Sequence, residues 1–385
     1  MGIALPVKWY DSTQNPGVTP GGASAGMMAA WLDAILVDGF NLRTLDSLTV
    51  TSGVATATRS TGHPFVPYQV IEISGATPST LNGQWRVTAV TGTTFTFTAT
   101  GVADAVASGT ITCKAPGLGW ERVFTGTNKR VYRSQDTSEC ARSYFRVDDT
   151  FTDTYGARLR CFASMSDIDT GTGEWTGHTS FNALSRSNAT NWFAVGDGKT
   201  LYWVVYGAEG NLWLANGFGA FKSFLPADAD NDFAMTKISA YDELKTGSTF
   251  NQHYGYSSNF AWTFTLRNNA LRTGKTNGTG LRWQNVKSGY GGPVFPEPFT
   301  SGLLVTPSLI REVGHSGDPI RGLARGQYWV LHDRPMSCDA PGVNLDDVVG
   351  LDGRRCRLIR YQEYYLGVWY GDEARMCVDI TGPWE

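Results

Sequence analysis

Between Ser47 and Cys113 the chain alternates between apolar side chains and threonine or serine. Ser47-Leu48-Thr49-Val50-Thr51 passes through Ser52-Gly53 into Val54-Ala55-Thr56-Ala57-Thr58, and Thr94-Phe95-Thr96-Phe97-Thr98 repeats the pattern. A period of two sends alternate side chains to opposite faces of a pleated strand, which a helix does not do. Glycine-bearing breaks between the runs read as hairpin turns. With Val70-Ile71-Glu72-Ile73, residues 84–90 and residues 110–113, six short strands are expected, and residues 46–115 are expected to form a small antiparallel β-barrel.

Past Pro116-Gly117, which reads as a linker, the strand pattern continues in longer runs. Residues 143–147 and 157–162 alternate, and residues 192–195 and 200–205 flank an Asp197-Gly198 turn of the hairpin type. Residues 118–385 are therefore expected to form a larger β-sandwich-like domain, with an exposed loop over 225–232 and a polar, loop-rich excursion near 246–292. One segment departs from the pattern. Met28, Trp31, Leu32, Ile35 and Leu36 fall at i, i+3, i+4, i+7 and i+8, with Ser24 placed to cap them and Asp38-Gly39 to end them. That spacing predicts a short amphipathic helix over 24–37 within an N-terminal segment 1–45. Its apolar stripe suits either its own domain or a neighbouring subunit. The fold class is mainly β.

With 385 residues, the chain has room for two or three cores. Charged residues make up 17%, against about 25% in ordinary domains, and the formal net charge is −3. Acidic and basic residues are interspersed, so no basic stripe for nucleic acid is expected. No apolar run reaches the ~20 residues of a membrane-spanning helix, and Met1 to Tyr10 lacks the apolar core of a signal peptide. The six cysteines (Cys113, Cys140, Cys161, Cys338, Cys356 and Cys377) show no CxxC spacing. They read as buried thiols, with a disulfide such as Cys140–Cys161 the alternative.

The reactive motifs are incomplete. Gly198-Lys199-Thr200 and Gly274-Lys275-Thr276 lack the glycine five positions earlier that a phosphate loop needs; Phe193 and Asn269 stand there. Asp228, Asp230 and Asp232 begin a calcium-loop spacing, but Phe233 and Ser239 occupy the glycine and glutamate positions, leaving a solvated acidic loop as the reading. His63, His178, His253, His315 and His332 are scattered. Glu174 and Glu297 are single carboxylates, whereas glycoside hydrolysis needs two at a set separation. No catalytic, cofactor-binding or metal-ligating residue is assigned. Aromatics gather at Tyr361, Tyr364, Tyr365, Trp369 and Tyr370, and around Trp203, Tyr206 and Trp213. They suit core packing, a subunit interface or a glycan. The candidate interface residues are Met28, Trp31, Leu32, Ile35, Tyr364, Tyr365, Trp369 and Tyr370.

The runs Gly53-Val54-Ala55-Thr56-Ala57-Thr58, Gly62-His63-Pro64-Phe65, Leu81-Asn82-Gly83-Gln84-Trp85-Arg86-Val87-Thr88 and Thr93-Thr94-Phe95-Thr96-Phe97 resemble a small β-barrel module of phage and prophage tail proteins. It is often labelled after the half-domain of ubiquitin-activating enzymes, and the likeness implies no ubiquitin chemistry. Trp31-Leu32-Asp33-Ala34-Ile35-Leu36-Val37-Asp38-Gly39-Phe40, Phe124-Thr125-Gly126-Thr127-Asn128, residues 165–173 and Asp379-Ile380-Thr381-Gly382-Pro383-Trp384 resemble minor tail proteins of siphophages related to the transposable phages. That family brings no active-site residues to carry over. The resemblance implies a non-enzymatic baseplate or tail-tip component of the virion, assembled in the host cytoplasm. Expected partners are other tail proteins, in a homo-oligomer of threefold or sixfold symmetry. The alternative is a receptor-binding protein that touches a host pilus or glycan.

Overall fold

The computed structural model describes residues 7–14, 16–20, 24–138, 140–150, 157–176, 179–180, 191–206, 213–225, 231–235, 263–266, 280–283, 303–312, 320–330, 344–346, 348, 350–365 and 368–384. Among these residues the architecture is mainly β: three antiparallel sheets and one short helix.

The first sheet has eight strands, in the order Phe40–Thr44, Thr112–Ala115, Val70–Ser74, Gly83–Val90, Thr94–Thr98, Val54–Thr58, Ser47–Thr51 and Ala105–Val106. It curls around a core of its own. Leu48, Val50, Ala55, Ala57, Phe95 and Phe97 point inward at full burial, as the two-residue period requires. Trp85 stacks on Phe97 with ring centroids 5.0 Å apart. The unit begins earlier than expected, because Phe40–Thr44 pairs with Thr112–Ala115 instead of belonging to a separate N-terminal segment. Two further elements join the six expected strands: this one and the two-residue Ala105–Val106. Pro116 and Gly117 are buried and do not form an exposed linker. The Tyr10 hydroxyl donates to the Pro116 carbonyl at 2.5 Å, and Leu118 N–H donates to Ile35 O at 2.9 Å.

The remainder forms two sheets. Six strands (Trp120–Gly126, Lys129–Ser134, Tyr144–Asp148, Arg158–Met165, Gly171–Glu174 and Thr179–Ser180) make one. The other has thirteen strands. It starts at Lys8–Asp11, continues through Asn191–Gly196, Thr200–Tyr206, Trp213–Ala220 and Asp232–Met235, and reaches Val305–Glu312, Ile320–Val330, Val368–Asp379 and Cys356–Tyr365. The two sheets share one aromatic core. Trp120 packs edge-on to Phe145 and Phe218, and Phe145 stacks on Phe218 at 4.8 Å.

The helix lies against this shared core. Met27–Leu32 is α-helical and Asp33–Asp38 continues as a wider π turn, so the helical span starts three residues later than predicted. Gly39, at φ 72°, ends it. Ser24 does not cap it. Asp149 does: its Oδ2 accepts from Met28 N–H at 2.8 Å, and its carbonyl accepts from Gly26 N–H at 3.0 Å.

The large sheet turns back on itself. Lys222–Ser223 pairs with Gly322 and Leu323 of the strand Ile320–Val330. Opposite the single residue Ser308, that strand carries a buried excursion over residues 324–327. At the sheet's two ends, Asp11 on the first strand forms a buried ion pair with Arg357 at 3.2 Å. The Arg357 guanidinium also lies over the Phe193 ring at 4.3 Å.

Candidate functional site

The four helix residues singled out from the sequence face inward. Trp31, Leu32 and Ile35 are 0% exposed and Met28 is 3% exposed. Trp31 meets Trp192 edge-on at 5.3 Å and Trp203 at 5.7 Å. The stripe is therefore part of this chain's own core and offers no docking face. The physical reason is area: burying one such side chain is worth about 1.5–3 kcal/mol, and the two sheets supply matching aromatics. The helix's other edge is polar. Asp33 accepts from the Tyr132 hydroxyl at 2.8 Å and pairs with Arg130 at 2.8 Å and Arg122 at 3.0 Å.

The C-terminal aromatics sit on the hairpin of strands Cys356–Tyr365 and Val368–Asp379. Tyr364 pairs with Trp369, Glu363 with Tyr370 and Tyr365 with Val368, so all four candidates cluster at its tip. Their side chains lie outside the described residues.

The densest polar constellation is one the sequence reading did not single out. It lies where the small barrel meets the first strand and the C-terminal residues. Arg86, on the barrel strand Gly83–Val90, donates to four carbonyls: Tyr68 at 2.9 Å, Thr381 at 2.9 Å, Ile380 at 3.3 Å and Val7 at 3.4 Å. Burial lowers its pKa and nearby Asp379 opposes that. Trp9 Nε1 donates to Tyr68 O at 3.1 Å, Arg355 lies over the Tyr68 ring at 3.8 Å, and Gln69 donates to Gln14 Oε1 at 2.9 Å. Lys8, 5% exposed, has its pKa pushed down to about 8 by burial, with Asp197 and Glu72 pulling it back up.

Asp197 is the second node. Its Oδ1 accepts from Lys199 N–H and Thr200 N–H at 2.8 Å each, and its Oδ2 pairs with buried Arg325 at 2.9 Å. Arg325 and Gly326 lie in the excursion opposite Ser308. Arg325 also donates to Trp384 O at 3.2 Å. Gly326, at φ 65°, lies so close to the Trp384 indole that an added Cβ would stand 2.1 Å from the ring. Trp384 Nε1 donates to Asp379 O at 3.0 Å. These groups clamp barrel, first strand and C-terminal segment together.

The sequence motifs resolve as structure. The triplet Gly198-Lys199-Thr200 is the turn that Asp197 closes. Asp232 is buried and not in a solvated loop: its Oδ2 accepts from Ser143 N–H at 2.7 Å. Asp228, Asp230, Gly274-Lys275-Thr276 and Glu297 lie outside the described residues. Glu174 pairs with Arg160, whose Nε lies at 2.7 Å. His63 Nε2 sits 2.9 Å from Thr94 O while Phe65 N–H donates to its Nδ1 at 3.2 Å, and its ring stacks on Phe65. The other four histidines lie outside the described residues. Cys113, Cys140, Cys161, Cys356 and Cys377 are free thiols, so Cys140 and Cys161 are not bridged. Burial pushes the Cys113 and Cys161 thiols well up. Among the described residues no cluster of His, Cys, Asp or Glu is arranged to hold a metal, and no helix is long and apolar enough to cross a membrane.

Compared with known proteins, the chain matches no family model and no curated protein sequence.

Proposed function

We propose that this chain is a structural, non-enzymatic component of a bacteriophage tail, in the baseplate or tail tip, assembled in the host cytoplasm with other tail proteins around a threefold or sixfold axis. The observation that supports this reading best is the junction at Arg86, Asp197 and Trp384. It fastens a small barrel rigidly to a double-sheet body and joins the first strand to the last residues of the fold. A part that transmits load needs its modules fixed against shear, and buried charge-assisted hydrogen bonds give fixed geometry. The resemblance of the barrel and of residues 31–40, 165–173 and 379–384 to tail proteins points the same way.

Mass spectrometry of purified virions tests it. The expected result is this chain at a stoichiometry that is a multiple of three. Absence from mature particles would refute the assignment and leave an assembly factor. A second reading, a receptor-binding role toward a pilus or glycan, draws on the hairpin tip where Tyr364, Tyr365, Trp369 and Tyr370 converge. Replacing Trp369 and Tyr370 by serine in the phage would then reduce adsorption to cells without reducing particle yield.

A further inference from the structure

Five cysteines lie among the described residues, and two of them share a core. Cys356 opens the strand Cys356–Tyr365, and Cys377 lies near the end of the strand Val368–Asp379. The ladder pairs Cys356 with Asp379 and Leu358 with Cys377. The two thiols therefore leave the same face of the hairpin as diagonal neighbours. Both are 0% exposed, in a small cluster with Leu303 and Val348. They lie within hydrogen-bonding reach of each other, and that contact, with burial second, raises Cys377 well above the usual thiol range. Cys377 thus keeps its proton and donates it toward the Cys356 sulfur. The other described cysteines are placed apart: Cys113 in the barrel core, Cys161 in the shared aromatic core, and Cys140 beside Asp232 at 3.8 Å.

A single buried cysteine is a small apolar side chain and nothing more. Two in contact are the reactants of a disulfide. Burial favours a small neutral oxidant, and hydrogen peroxide is little larger than water. Half-buried Val305, Tyr328 and Leu351 pack against the cluster, so its cover reaches the surface. Geometry sets how lasting the product is. Diagonal neighbours stand about 7–8 Å apart at Cα, whereas a relaxed disulfide spans about 4.4–6.8 Å. Closing the bond draws the two strands together, and a strained disulfide is a readily reduced one.

We propose that Cys356 and Cys377 form a reversible redox site, a thiol pair that hydrogen peroxide converts to a disulfide bridging the last two strands. The Cys356 sulfur attacks one peroxide oxygen. An S–O bond forms, the O–O bond breaks, and the departing hydroxide takes the thiol's proton and leaves as water. The Cys377 sulfur then attacks the resulting sulfenic acid. The S–S bond forms, the S–O bond breaks, and the hydroxyl leaves with the Cys377 proton as a second water. The two thiols lose two electrons between them, and one peroxide becomes two waters. The bridge closes the hairpin, with Tyr364 and Trp369 paired at its tip, into one covalent loop. The inference rests on the thiol pair and does not depend on the tail assignment.

Peptide mapping by mass spectrometry tests it on the native full-length protein. After treatment with hydrogen peroxide and alkylation in denaturant, the expected product is a cross-linked pair of peptides carrying Cys356 and Cys377, lighter by two hydrogens. Cys113 and Cys161, each in a separate core, should still be alkylated. Dithiothreitol added before unfolding should restore both thiols. In Cys377→Ala the Cys356 sulfenic acid has no partner, and dimedone should trap it. A native wild type whose Cys356 and Cys377 both remain alkylatable, or which bridges them only once unfolded, would overturn the proposal. So would a bridge that dithiothreitol cannot open in the native fold. The wild-type measurement stands whether or not the variant folds. None of these results bears on whether the protein occurs in virions, so the two readings fail separately.

Discussion

Asp149 Oδ2 accepts the Met28 N–H at 2.8 Å, capping the helix from 121 residues away in the chain. Gly26, at the cap position, has no side chain for the task, so the free donors of the first turn depend on a residue after the strand Tyr144–Asp148. Losing a cap costs about 0.5–2 kcal/mol, and this one is buried and charged. Asp149→Ala is expected to reach the top of that range and Asp149→Asn to lose much less. Equilibrium denaturation of the two variants checks the order.

Arg86 ties the barrel to three carbonyls of the body. Arg86→Met should leave the barrel folded but loosen it from the body, because the carbonyls of Val7, Ile380 and Thr381 lose this donor while the barrel core around Phe95 and Phe97 is untouched. Amide exchange should quicken at residues 7–9 and 380–382 and stay slow at 95–97. A polypeptide of residues 40–117 should in turn fold cooperatively on its own core. If exchange rises equally in the barrel core, or the isolated unit stays unfolded, the barrel is not an autonomous domain.

Lys8 makes a specific pH signature. Its folded pKa, about 8, lies below its ordinary 10.5, so the folded state disfavours the charged form. Below pH 8 that penalty is present in full. As pH rises from 8 to 10.5 the unfolded chain holds a proton the folded chain has released, and stability increases. Lys8→Met should remove the penalty, stabilising the protein at pH 7 by on the order of 2–3 kcal/mol, with the advantage shrinking toward pH 10.5. The buried Cys113, Cys161 and Tyr10 push the other way at high pH, since their raised pKa values cost stability once the unfolded groups ionise. Comparing variant with wild type cancels their effect. A difference that does not change with pH would show that Lys8 is not desolvated.

Gly326→Ala tests the clasp. Its Cβ would collide with the Trp384 indole, and φ 65° is itself unfavourable for alanine. A loss of about 2–4 kcal/mol is expected, as for other overpacked or strained sites. In Trp384→Ala the added loss from Gly326→Ala should fall to about 1 kcal/mol, the backbone contribution alone. A thermal-denaturation double-mutant cycle measures the difference.

How far the sequence disclosed this fold depends on the kind of signal each element carries. Strands with one wet and one dry face, such as Ser47–Thr51 and Thr94–Thr98, announce themselves by alternation. The strand Lys8–Asp11 does not, because all four residues are buried and its lysine and aspartate are inside. Phe40–Thr44 is disguised by Asn41 at φ 58° and a register shift. Trp31 and its neighbours were visible as a stripe, but a stripe gives no indication of whether its cover is internal. The Arg86–Asp197–Trp384 junction was invisible, since it joins residues far apart in the chain, Arg86 and Thr381 being separated by 295 positions. Asp197-Gly198 was legible as a turn, and only the fold shows that its carboxylate also reaches Arg325.

The pairing of Asp11 with Arg357, 346 residues later, has a consequence for how the protein comes into being. The ribosome adds about 5–20 residues per second, so on the order of tens of seconds separate the emergence of the first strand from that of its last partner. The barrel's strands are all local and can close during that interval. Trp9 and Tyr10 must wait, apolar and unpaired, until their strand partner Asn191–Gly196 emerges, and Asp11 waits longer still for Arg357. Their most natural custodian in the meantime is a chaperone, and haste at the ribosome would leave this end of the polypeptide less time unguarded.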